Sequence, residues 1–146
     1  MTLNRSSSPL TPLLPSEPTN NQKTVVVKKI VYMLELVNNE RRKFGKPALR
    51  LNAGLNSAAQ AHSNYQSSIH KMTHDNPKGG LFDRMKPFVT GARGAAENVA
   101  FNQRSVDEVM KAWITSPGHH DNIVGDYNSV GFGQSNLYWT QEFAAL

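Results

Sequence analysis

Residues 113–123, Trp-Ile-Thr-Ser-Pro-Gly-His-His-Asp-Asn-Ile, are the stretch whose reading decides the fold. Trp113 lies near the end of an amphipathic helix predicted over 105–116. Val106, Val109, Met110 and Trp113 form its buried stripe, and Ser105 with Glu108 has capping-box spacing. Pro117 is expected to stop that helix. Two adjacent histidines follow, and imidazole suits both proton transfer near neutral pH and metal ligation. His119, held at a turn beside a large aromatic anchor, can face a pocket. His74 and Glu97 are its candidate partners from elsewhere in the chain. His120 is expected in an extended or turn segment, pointing to solvent.

Working outward, residues 53–67 read as a helix with Leu55, Ala58, Ala59 and His62 on one face. Residues 26–44 read as a first helix with Val26, Ile30, Met33, Val37 and Phe44 in one stripe and Leu34 beside it. Gly45 and Pro47 end it. A loop rich in Gly, Pro and Asp follows the second helix, with a short helical turn near Leu81–Met85. The period then changes. Tyr127–Gln134 and Leu137–Phe143 read as a β-hairpin turning near Ser135-Asn136, and Glu97–Asn102 as a further strand. Helices come first and the clearest strands last, without internal repeats, which predicts an α+β class.

Composition narrows the function. With 146 residues the chain is read as a Ser/Pro-rich disordered tail over residues 1–24 and one domain over 25–146. The absence of cysteine excludes disulfides, Cys-type zinc sites and thiol chemistry. Pro9, Pro12, Pro15 and Pro18 recur every third residue, the repeat of a polyproline II spacer, and Asn4-Arg5-Ser6 is a glycosylation sequon. No window is apolar enough to span a membrane. The N-terminus has no continuous apolar run of the signal-peptide kind, and Thr2 rules out N-myristoylation. The net charge of +5 favours acidic partners such as anionic lipid. Arg41, Arg42, Lys43, Lys46 and Arg50 cluster near the end of the first helix, and no aromatic residues interleave them as single-stranded nucleic acid would require.

Six segments in order carry a resemblance: VNNERRKFGKPALRLNAGLNSAAQAHS, KMTHD, AAENVA, VMKAWITSPGHHDNI, VGFG and YWTQEFA. Together they resemble the CAP superfamily, or SCP domain, of cysteine-rich secretory proteins, antigen five and pathogenesis-related proteins, in its compact cysteine-free microbial form. The resemblance covers about residues 30–144. It implies a three-layer α-β-α sandwich with a small antiparallel sheet, an extracellular location, and a cavity lined by histidines and acids. His74 matches the first histidine, Glu97 the first acid and His119 the second histidine, while Ser116 stands where the wider family has its second acid.

Two neutral imidazoles and a carboxylate can hold zinc or another divalent cation and leave positions open for water. With one acid in place, weak metal binding is expected over metal-dependent hydrolysis, in which Glu97 is the only candidate catalytic residue. The plainer alternative is a hydrogen-bonded polar cluster that fixes loop geometry. His62 is expected to be a hydrogen-bonded core residue, and the segment holding His70 and His74 to be non-helical. Trp113 and Trp139 are expected in the core, Ser116 lacks the surroundings of a nucleophile, and Asn98 and Asn122 are expected to satisfy backbone groups in turns. Three functions compete: a non-enzymatic binding module for sterol or fatty acid, a hydrolase built on His74, His119 and Glu97, and a protein-interaction scaffold. Helix 26–44 and the loop near Leu81–Val89 are the places for an apolar ligand.

Overall fold

The computed structural model describes residues 17–146. The tail's proposed disorder, its prolines at 9, 12 and 15, and the sequon lie outside the described residues. In chain order the elements are α1 (Asn20–Lys43), β1 (Arg50–Leu51), α2 (Ala53–Ile69), α3 (Leu81–Met85), β2 (Gly94–Phe101), α4 (Val106–Ile114), α5 (Pro117–Ile123), β3 (Ser129–Ser135) and β4 (Tyr138–Ala145). The sheet runs β1-β3-β4-β2, with β3/β4 and β4/β2 antiparallel and the two-residue β1 parallel to β3. The hairpin turns on Asn136 and Leu137, both left-handed at φ 48° and 67°. A two-residue loop with positive φ at both positions matches the twist of the flanking strands.

Alternation along the strands builds the three layers. Val130, Phe132, Trp139 and Phe143 leave one face and pack with Met33 and Val37 of α1 and with Val109, Met110 and Trp113 of α4. Gly131, Gly133, Thr140 and Glu142 fall on the other face, which α2 covers. The two glycines let α2 lie directly on the sheet. A Cβ at Gly131 would sit 2.2 Å from the backbone of Leu55, and one at Gly133 2.4 Å from the backbone nitrogen of Gln60. Because backbone blocks the new methyl, Gly131→Ala is expected to cost about 2–3 kcal/mol in chemical denaturation. A loss below about 1 kcal/mol would show that α2 is not seated this closely.

Several expectations need correction. Helix α1 starts at Asn20, inside the segment read as tail: Thr19 and Gln22 form a capping box, with the Thr19 N–H donating to Gln22 Oε1 at 2.7 Å and the Gln22 N–H to Thr19 Oγ1 at 3.1 Å. The box expected at Ser105 is half made. Ser105 caps the Glu108 N–H at 3.1 Å, but the Glu108 carboxylate accepts from Arg104 instead. Met33 and Val37 are buried as expected, but Val26 and Phe44 are more than half exposed, and Glu40 and Arg41 are the other buried residues of α1. Arg41 is therefore no surface cation. Its guanidinium donates to the carbonyls of Pro47, Ile123, Gly125 and Tyr127 at 2.8–3.3 Å, tying the end of α1 to the chain leaving α5.

Pro117 stops α4 only by starting α5, where it occupies the first turn. A proline costs nothing there, because its missing N–H has no helical acceptor. His120 is consequently helical and turned inward. Its Nε2 pairs with Glu40 Oε2 at 2.7 Å, and its ring meets Phe44 edge-on.

Candidate functional site

Four elements and one loop converge around Glu97. The carboxylate leaves β2 on the α2 side of the sheet, 7 % exposed, and its register partner on β4 is Glu142, fully buried. Arg84 of α3 covers both. It donates through Nη1 to Glu97 Oε2 at 2.8 Å and through Nη2 to Glu97 Oε1 at 3.0 Å, a two-pronged pair, and its Nη1 lies 3.6 Å from Glu142 Oε2. His74 reaches Glu97 Oε1 through Nδ1 at 3.0 Å with its ring 60 % exposed.

The loop carrying His74 is fastened by α2. His62 Nε2–H donates to the Thr73 carbonyl at 2.7 Å, Asn76 Nδ2 donates to His62 Nδ1 at 3.1 Å, and the Thr73 N–H donates to Gln66 Oε1 at 3.0 Å. Both His62 nitrogens are thus used by the neutral ring, and it is 1 % exposed. Burial pushes its pKa down, against the pull of Glu97.

The two glutamates sit at opposite ends of the carboxylate range. Burial alone would raise Glu97, but hydrogen bonds from His74 and Arg84 outweigh it and hold the group at about 2. Burial, then the hydrogen bond and charge of Glu97, pushes Glu142 up to about 9. Two carboxylates facing each other in a dry site do not both ionise. As an ionised group Glu142 has no hydrogen-bond donor on either oxygen among the described residues; as a carboxylic acid it donates to Glu97. His74 is raised, chiefly by its hydrogen bond to Glu97.

His119 belongs to a second group. Its Nδ1 pairs with Ser116 Oγ at 2.9 Å, and its carbonyl accepts from Asn98 Nδ2 at 3.2 Å. Asn98 follows Glu97 on β2, so its side chain leaves the opposite face of the sheet. There it also donates to Gln141 Oε1 at 2.9 Å and accepts from Asn122 at 2.8 Å. Asn98 and Asn122 therefore sit in a strand and a helix, bracing β2 against α5, where turns were expected. Burial lowers His119, and the field of His74 adds to that.

The predicted residues are thus joined by hydrogen bonds as two pairs, His74 with Glu97 and Ser116 with His119. Sequence reasoning missed Arg84 and Glu142. No local pattern marks Arg84: Phe82, the apolar residue two positions before it, is itself exposed and lies on a different face of the short helix. Glu142 sits inside the YWTQEFA motif with nothing in its spacing to mark it as buried. The divalent ion implied by the resemblance can be tested against this geometry. Glu97 has both oxygens on Arg84, and a guanidinium at 2.8 Å opposes a second cation. Among the described residues no three His, Asp or Glu side chains are grouped to hold an ion. The donors as placed do not fit a three-ligand site.

A mixed sheet between helical layers, with an Arg-bound glutamate and a histidine at its β2 edge, defines the class of protein: a three-layer α+β domain of the SCP type. The model of the cysteine-rich secretory protein family matches residues 34–143, and the chain belongs to that family, CAP. It is 38% identical over 120 residues to the uncharacterized protein YkwD of Bacillus subtilis (strain 168); the match covers 80% of this chain and 46% of YkwD. The chain thus spans less than half the length of that curated relative. An extracellular protein containing a SCP domain from Bacillus anthracis superposes with a TM-score of 0.80 at 23% identity, over 90% of this chain and 45% of that one. An outer surface protein of Borrelia burgdorferi superposes with a TM-score of 0.70 at 16% identity, over 88% of this chain and 97% of that one. The last two likenesses concern the fold alone.

Proposed function

We propose that this chain is a non-enzymatic CAP-domain module that works outside the cell and holds a small apolar ligand of the sterol or fatty-acid kind. The observation that carries the reading is a groove of about 560 Å³ between α2 and the segment 76–88. Ala58, Ala61, Tyr65, Pro77, Pro87 and Phe88 give it apolar walls, and His62 and Arg84 close one side. That volume lies within the ordinary range for small-molecule sites, roughly 300–1,000 Å³. In the second place expected for a ligand, α1, the space among Val26, Ile30, Met33, Phe132 and Trp139 holds about 100 Å³, too little for a sterol, and the larger hollow of about 670 Å³ farther along the helix is rimmed by Asn39, Glu40, Arg42 and Lys43. The extracellular assignment rests on the family and on two proteins of similar structure, the extracellular protein of Bacillus anthracis and the outer surface protein of Borrelia burgdorferi. The hydrolase reading needs Glu97 as a free base or ligand, and Arg84 holds it.

Titration with fluorescent sterol and fatty acid tests the proposal. Saturable binding at micromolar protein is expected. Ala61→Trp, which fills the groove from an exposed position on α2, should weaken it at least about tenfold, a loss of roughly 1.4 kcal/mol. Absence of saturable binding, or full affinity in Ala61→Trp, overturns the reading.

A further inference from the structure

An ionised carboxylate buried from water needs a cation, and Glu97 has one inside the chain. The Arg84 guanidinium reaches β2, β4 and the loop of His74 at once. It donates to Glu97 at 2.8 and 3.0 Å, lies 3.6 Å from Glu142, and donates through Nη2 to the His74 carbonyl at 3.4 Å. Its helix is fixed from behind. Met85, the next residue of α3, is 1 % exposed and packs with Leu55 and Ala144. The chain then folds back, with the N–H groups of Phe88 and Val89 on the Met85 carbonyl at 2.9 Å.

A carboxylate offers about four lone-pair positions. Glu97 fills them all: two with Arg84, one with the His74 Nδ1–H at 3.0 Å, and one with the acid proton of Glu142. A ring whose Nδ1 donates to Glu97 can meet a metal only through Nε2, on the side away from the acid. His74 and Glu97, as placed, therefore cannot share one ion. The charges balance as well. Ionised Glu97 cancels Arg84, while Glu142 keeps its proton and His62 is neutral. A divalent ion added here would bring two positive charges with nothing to offset them.

We propose that Arg84 is the resident cation of this site, that it does for Glu97 what the divalent ion implied by the resemblance would do, and that it makes the domain independent of metal. Glu97, Glu142 and His74 become a zinc site only when the guanidinium is taken away. Three such ligands suffice for zinc, with water in the fourth position. Zinc then displaces the Glu142 proton, and the His74 proton passes from Nδ1 to Nε2, because ligands bind unprotonated.

Thermal unfolding in about 0.1 mM zinc chloride and in EDTA is the test. The parent and Arg84→Lys, which keeps the charge, should each unfold at the same midpoint in both. Arg84→Met should gain about 5 °C or more in zinc, and Arg84→Met with Glu97→Gln should lose that gain. Folding of Arg84→Met in zinc but not in EDTA counts as the gain. Arg84→Gln, which removes the charge and keeps an amide beside Glu97, takes its place if Arg84→Met folds in neither. None of these readouts involves the groove or its ligand. A zinc-dependent rise in the parent or in Arg84→Lys, no rise in either neutral variant, or a rise that survives Glu97→Gln overturns the proposal.

Discussion

Arg84→Met is expected to destabilise the domain by about 3–5 kcal/mol, because it leaves an ionised carboxylate buried without its counter-charge. Arg84 makes two hydrogen bonds to Glu97 at 2.8 and 3.0 Å and is 8 % exposed, so little water can replace it. Met fills similar volume, and the loss therefore reports charge rather than a cavity. Removing both charges should recover much of the loss: Arg84→Met with Glu97→Gln should be more stable than Arg84→Met alone, since a fully neutral site carries no unpaired ion. Urea denaturation near neutral pH measures both. If Arg84→Met stays within about 1 kcal/mol of the parent, the pair does not hold the site together. If the double variant is no better than the single, Arg84 acts through packing.

The same site marks the limit of what sequence shows. Periodicity located α4 and α2 well. Val106, Val109, Met110 and Trp113 are all buried, as are Leu55, Ala58, Ala59 and His62, and Trp139 is core as expected. Period-2 patterning found the hairpin, with its turn one residue later than read. These are local signals, and the core is made by local faces. The site is made by register. Glu97 meets Glu142 because β2 and β4 are adjacent and paired in that register, and no spacing in the chain encodes that contact. Arg41 looked like one of a run of surface cations because its partners are carbonyls, which no side-chain pattern announces. His120 looked solvent-directed because a proline was read as an end and not as a first turn. The resemblance to CAP proteins named His74 and Glu97 for one cavity, and the two side chains meet at 3.0 Å. It carried no statement about the arginine that occupies the acid between them.

Glu142→Gln is expected to make the domain more stable than the parent at neutral pH, by an amount that grows with pH. In the folded protein Glu142 keeps its proton to about 9; in the unfolded chain it releases it near the ordinary 4.5. Below that value both states hold the proton and the stability associated with the protonated group is complete. Above it only the unfolded state ionises, so the parent loses stability at up to about 1.4 kcal/mol per pH unit until pH passes the folded value. Gln keeps the shape and a donor toward Glu97 and has no proton to release. The two proteins should therefore unfold alike at about pH 5 and separate by up to about 3 kcal/mol at pH 7 and more toward pH 9. Glu97 acts in the other direction: held at about 2, it stabilises above its ordinary value and that contribution is lost as pH falls through the folded one. His74, raised, loses its contribution as pH rises, while His62 and His119, lowered, lose theirs as pH falls. These three are common to both proteins and largely cancel in the difference. Urea unfolding of the parent and Glu142→Gln at about pH 5, 7 and 9 gives that difference directly. A gap that does not change with pH would mean that Glu142 is ionised in the folded protein, and that the proton placed between the two glutamates is not there.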